Sequence, residues 1–236
     1  MNSISAIMRR ELSSYFLSPI AYVILAIFTL IYGIFFNGVF IAYGVTNLQF
    51  SMSNLLIVFL FLMPLMTMRS LSEERKMGTE ELLMTSPITT SQVVFGKFFA
   101  LLISLLIMLG VSLIHLAIAI AHGMPDIGPI ISSYVGLIIA GAVFISIGLF
   151  ASSLSDNQIV SGLVGFGILL LFWLLEIVGN SIGGKLGEII NNLALLKHYE
   201  DFNKGVIDTG NLVFYLSLLG VFLFLTIRRV ESRRWR

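Results

Sequence analysis

Long apolar runs divided by short polar connections set the pattern of this chain. Six runs are apolar on every helical face: approximately 20–41, 52–68, 92–121, 130–153, 158–179 and 212–230. About 20 such residues, each rising 1.5 Å along a helix, cross a hydrocarbon core of about 30 Å. Lipid offers no partner to an exposed backbone N–H or C=O, so every run is expected to be a helix. Barrel strands would alternate, and "LLIVFLFLMPLM" (Leu55 to Met66) does not. The second run is short; the third is long enough to tilt or to begin outside the lipid.

The polar connections carry their own signals. Ile4, Ile7, Met8, Leu12, Tyr15 and Phe16 fall near helical spacing around Arg9, Arg10 and Glu11. This predicts an amphipathic surface helix over 1–19, stopped near Pro19. Its charges and serines, followed by a spanning run, do not fit a cleaved leader. Thr89 with Gln92, and Ser155 with Gln158, have capping-box spacing at the starts of the third and fifth runs. "HGMPDIGP" (His122 to Pro129) reads as a turn joining the third and fourth. Gly136, Gly141 and Gly148 should let the fourth helix approach its neighbours closely. Over 180–211, Leu186, Ile189, Ile190, Leu193 and Leu196 lie near one helical face. Two readings stay open: a lid lying flat or dipping into the outer leaflet, or an ordinary loop with one surface helix.

Composition fixes the class. With 236 residues, 57% hydrophobic, 11% charged and a mean hydropathy of +0.98, this is an integral membrane protein. The expected fold is all-α and polytopic: six transmembrane helices, an N-terminal amphipathic surface helix and both termini cytoplasmic. No connection is long enough for a soluble core, so residues 1–236 read as one domain. Its parts are the surface helix 1–19, spans one and two over 20–68, a cytoplasmic segment 69–91, spans three to five over 92–179, an outer segment 180–211, and the last span with a basic tail over 212–236. Eleven of the 14 lysines and arginines fall on the side holding both termini and the 69–91 segment. The positive-inside rule places that side in the cytoplasm. A net charge of +1 argues against nucleic acid; the basic residues sit where anionic membrane lipid would attract them. Without cysteine there is no disulfide or thiolate chemistry.

Catalytic chemistry is scarce. "GNSIGGKL" (Gly179 to Leu186) matches most of a phosphate-binding loop, but Leu186 follows Lys185 where Ser or Thr should hold Mg²⁺, and an apolar helix precedes it. Glu176 and His115 lie inside apolar runs. Glu176 is near enough to an interface to meet water, and His115 suits a neutral hydrogen bond across helices; either is also a candidate for function. No catalytic set, metal-ligand set, cofactor site or selectivity-filter sequence is expected on this chain.

The densest charge lies in "RSLSEERKMGTEELLMTSP" (Arg69 to Pro87), which holds seven of the 27 charged residues. Ser70 and Glu73 have capping-box spacing, Gly78 breaks the first turn, and Thr79 is placed to cap a second short helix with Glu80 and Glu81 at its positive end. Leu82, Leu83 and Met84 form an apolar patch, and Pro87 ends the segment. That patch either rests on the membrane or inserts into a groove on a cytoplasmic partner, with Glu73, Glu74, Arg75 and Lys76 setting orientation.

Across nearly the whole chain these features resemble the permease subunits of ABC type-2 exporters, most closely the bacterial branch that includes the gliding-motility-associated and nitrous-oxide-reductase-maturation permeases. "RRELSSYFLSPIAYV" (Arg9 to Val23) resembles the opening surface helix and first span. "MRSLSEERKMGTEELLMTSPITTSQVVFGKFFA" (Met68 to Ala100) resembles the signature cytoplasmic segment through Arg69, Glu73, Glu74, Gly78, Thr79, Glu80, Leu82, Leu83, Thr85, Pro87, Gly96 and Lys97. "SSLSDNQIVSG" (Ser152 to Gly162) and "HYEDFNKGVIDTGNLVFYLSL" (His198 to Leu218) resemble the turn before the fifth span and the approach to the last. The resemblance implies a bacterial inner-membrane permease with no ATPase of its own, pairing with a second permease subunit as a homo- or heterodimer. Its surface helix and 69–91 segment would bind a cytoplasmic ABC ATPase, on which ATP and magnesium are expected. The cargo implied is unidentified, possibly lipid-like or peptide in view of the apolar spans; an ATPase-driven assembly factor that carries no solute is the alternative.

Overall fold

A computed structural model of the chain describes residues 3–43, 48–79, 88–123 and 125–234. In order, the helices are α1 (Ser3–Leu17), α2 (Pro19–Tyr43), α3 (Leu48–Thr67), α4 (Arg69–Lys76), α5 (Thr90–His122), α6 (Ile127–Ser152), α7 (Gln158–Ile182), α8 (Gly184–Asn191), α9 (Leu195–Asn203) and α10 (Thr209–Arg234), with no strand among the described residues. Six of them, α2, α3, α5, α6, α7 and α10, are long and apolar enough to cross a membrane, and the chain is a multi-pass membrane protein. α5 has 33 residues, or about 50 Å, so it extends well beyond a hydrocarbon core of about 30 Å.

Local chemistry sets the helix ends. Pro19 takes the first position of α2, where its missing N–H is no loss, and Ser18 Oγ accepts from Ile20 N at 3.4 Å. At α5 the capping box forms: Gln92 N donates to Thr89 Oγ1 at 3.3 Å and Thr89 N donates to Gln92 Oε1 at 3.1 Å. The box expected from Ser155 and Gln158 does not. The turn is tight enough that extended Asn157 adjoins α7 and caps it, accepting from Ile159 N at 2.9 Å, while Ser155 Oγ accepts from Asn157 N.

Helix α6 is the hub. In its most apolar window 78% of the residues are buried, against 17% in the corresponding window of α7. Its glycines allow the close packing the sequence predicts. A Cβ on Gly148 would lie 2.7 Å from Thr67 Cβ on α3, one on Gly141 2.5 Å from Leu105 Cδ2 on α5, and one on Gly136 2.7 Å from Phe202 Cβ on α9. Without an apolar driving force between helices in lipid, such close contact supplies the dispersion energy of association.

The 180–211 segment forms two short helices where one was expected, and Leu186, Ile189 and Leu193 are exposed rather than packed on the bundle. Gly183 and Gly184, at φ +64° and +61°, turn the chain back so that α8 packs on α7, Gly187 meeting Gly179 backbone to backbone. Positive φ at both positions is readily available only to glycine. That hairpin, not a phosphate loop, explains the glycines of "GNSIGGKL". Helix α9 supplies the buried side, with Leu195, Tyr199 and Phe202.

The Gly148 contact generates a prediction. Gly148→Ala forces α3 and α6 apart, because Thr67 is held by its own bond to Met63 O at 2.8 Å; overpacking of this kind costs about 1–3 kcal/mol. Gly167→Ala, with nothing within 4 Å of the added methyl, should be neutral or stabilising. Thermal unfolding of both variants in detergent checks the difference.

Candidate functional site

The charged segment begins as a continuation of α3. Helix α4 follows after a break at Met68, and the break has a specific cause. Ser152, the last residue of α6, accepts from Leu71 N at 3.0 Å and Ser72 N at 3.1 Å, and donates to Met68 O at 3.1 Å. A side chain inserted into the helix ladder in this way interrupts it. It also overturns the capping box expected from Ser70 and Glu73: both lie inside α4, whose first free N–H groups are satisfied from another helix. Glu73 instead pairs with Arg69 across two bonds, at 2.9 and 3.4 Å, and Arg69 Nη1 donates to Ser18 Oγ at 3.0 Å.

The centre of this end is Lys97. Its side chain is 1% exposed, and its Nζ lies 3.0 Å from Glu11 Oε1, 2.9 Å from Glu74 Oε1 and 2.6 Å from Ser70 O. An ammonium has three N–H donors, and here each has an acceptor. Arg10 Nη2 contacts the same two carboxylate oxygens, at 2.8 Å from Glu74 and 3.0 Å from Glu11. Two cations and two anions thus alternate around a neutral ring that joins α1, α4 and α5. Gly96 brings α1 against α5: a Cβ there would stand 2.7 Å from Ile7 Cγ2. The surface helix therefore packs on the bundle as well as bearing an apolar face. Beside the ring a cavity of about 60 Å³ opens between α1, α3 and α5, lined in part by Glu11, Tyr15, Arg69, Lys97 and Ser104.

A second charged link ties in the chain's end. Asp156, in the turn between α6 and α7, lies 3.6 Å from Arg75 on α4 and 3.4 Å from Arg233 on α10. Both termini and α4 therefore share one end of the bundle.

The structure brings together Arg10, Glu11, Arg69, Glu73 and Glu74 from the sequence-predicted set. Arg9 is exposed on α1. Gly78, at φ +69°, ends the first turn of the segment as expected, and the Thr79 hydroxyl donates back to Glu74 O at 3.2 Å. Glu80, Leu82, Leu83 and Pro87 lie outside the described residues, as does the helix Thr79 was expected to cap. The sequence reading did not single out Ser152, whose partners are some 80 positions away, or Asp156, visible only as part of a turn. Lys97 stood in the family-like segment with no role. Of the intramembrane candidates, His115 contacts α2 through rings and not through the hydrogen bond expected of it: its centroid is 4.7 Å from Tyr32 and 5.2 Å from Phe36. Among the described residues no group of His, Asp and Glu could hold a metal ion.

Two predictions follow the ring. Lys97→Met leaves two carboxylates facing each other in a buried site with Arg10 alone, and breaking such a pair costs roughly 3–5 kcal/mol; the melting temperature should fall and protease should reach α1 sooner. The second concerns pH. Burial raises the Glu11 pKa, but the Lys97 charge and the Arg10 bond outweigh it and hold the carboxyl below its ordinary 4.5. Its contribution to stability is then complete above that value and lost as pH falls through the lower folded one. Glu11→Gln should flatten the fall in melting temperature between about pH 5 and about pH 3 relative to the parent chain.

A family model described as ABC-2 family transporter protein matches residues 5–227, from the surface helix almost to the end of α10. No curated protein matches the chain. The match spans the six apolar helices and the charged end alike: the chain belongs to the ABC-2 transporter family, as a membrane-spanning permease component of an ABC transporter.

Proposed function

We propose that this permease couples ATP hydrolysis on a separate cytoplasmic ATPase to export across a bacterial inner membrane, with α1 and α4 as the elements that receive force. The observation that carries the reading is the ring around Lys97. Surface helix and charged segment are locked to the start of α5, so a push on either would move a spanning helix. The excess of lysine and arginine at this end favours the cytoplasm for it, and both termini with it. ATP and magnesium belong to the partner chain in this reading. A second permease subunit completes the path, and the apolar spans favour a lipid-like or peptide cargo. The resemblance to gliding-motility-associated and nitrous-oxide-reductase-maturation permeases narrows the branch.

The geometry also divides the labour among the charged residues. Glu73 and Glu74 are engaged within the chain, so in this reading they hold α4 in place. Docking falls to what faces outward: Arg9 on α1, and Lys76 and Met77 at the end of α4, Met77 being 62% exposed. Glu80, Leu82, Leu83 and Pro87 would extend the same surface.

Purification from native membranes in mild detergent should bring down an ATPase at one copy per permease. Changing Lys76→Glu and Met77→Asp together should release that ATPase while leaving membrane level and melting temperature unchanged. Full retention of the ATPase by this double variant would mean that docking lies elsewhere.

A further inference from the structure

The opposite half of the bundle holds a second polar assembly. Tyr32 on α2 is fully buried, yet among the described residues its hydroxyl has no hydrogen-bond partner, and neither has the buried Nδ1 of His115 on α5. The two rings meet edge to face, and the Nε2 side of the imidazole abuts Gly33, 3.5 Å from where a Cβ would stand. Tyr32 and Tyr199 on α9 belong to one buried cluster, with Tyr134 on α6 packed against it. Tyr134 is bonded to Ser112 at 2.8 Å, and Tyr199 donates to Met52 O at 3.4 Å. Alongside, Ser133 donates to Asn203, which donates to Ser53.

An unbonded buried hydroxyl or imidazole nitrogen is costly, because it has given up water for nothing. Buried water that makes about three hydrogen bonds to such groups is the usual remedy. A phenol hydroxyl and an imidazole nitrogen suit a small molecule that both donates and accepts.

We propose that ordered water occupies the interior where α2 meets α5, bonded to the Tyr32 hydroxyl and His115 Nδ1. It makes this part of the bundle a hydrated site, separate from the charged end.

The test uses the full chain in lipid nanodiscs. Under X-ray radiolysis, side chains next to bound water are oxidised even when buried. Tyr215 is the internal control: it is equally buried, but its hydroxyl donates directly to Leu195 O at 2.7 Å. Tyr32 should be oxidised several-fold faster than Tyr215, and equal rates would overturn the proposal. Tyr32→Phe gives an independent sign. If water bonds the hydroxyl, its removal should lower the melting temperature by about 2–4 °C. If the site is dry, the same change relieves an unpaired group, so a rise or no change would also overturn it.

Discussion

A buried ammonium needs three acceptors, and meeting that demand organises one end of this protein. Lys97 sits in the second turn of α5, with 1% of its side chain exposed. Leaving it unpaired there would cost several kcal/mol. The acceptors come from two other elements: Glu11 from α1, and Glu74 with the Ser70 carbonyl from α4. No single helix could supply that set at these angles. Satisfying one cation therefore fixes the relative placement of three helices, and Arg10 closes the circuit so that no net charge remains. Surface ion pairs contribute little on their own. A network around a buried group behaves differently, because removing one member strands the others.

The break between α3 and α4 follows the same logic of satisfied groups. Ser152 takes the N–H groups of Leu71 and Ser72 and gives its proton to Met68 O, so the helix ladder is interrupted with its bonds intact. Because Ser152 ends α6, the break is tied to the most buried helix of the bundle. The Gly148 contact with Thr67 lies one turn deeper on the same pair of helices. Close packing and a capping hydroxyl thus act together where the charged segment meets the spans, and a displacement of α4 is resisted by α6 directly.

Much of the architecture was legible in the sequence because its signals are local. Apolar runs of spanning length mark the six helices, the Thr89–Gln92 spacing marks the start of α5, and Gly78 marks the end of the first charged turn. What escaped notice depends on partners far apart in the chain. Ser70 and Glu73 carry a capping pattern, yet Ser152 won the role because tertiary packing had already placed its hydroxyl over those N–H groups. Ser155 lost to Asn157 for a different reason: spacing alone does not say which residue of a tight turn will be extended. The periodicity of Leu186 and Ile189 was read correctly as helical, and it left open what the face meets. An apolar stripe in a membrane protein can face lipid as readily as core, so the hydrophobic period loses the directional meaning it has in water.

The same loss of meaning applies to charge. In a soluble protein a dense run such as Arg69 to Lys76 would be read as a solvated face, and its carboxylates as free for a partner. Here Glu73 is held by Arg69 and Glu74 by Lys97 and Arg10. Among the described residues of the segment, most of the charge is spent on internal order, and Asp156 extends that order by meeting Arg75 and Arg233. Outward at the end of α4 are a lysine, an exposed methionine and a glycine in the left-handed region. Charges already paired within the chain leave little net field to act at a distance. Long-range attraction is screened within about 8–10 Å at physiological salt, whereas a packed contact moves with the helix that bears it.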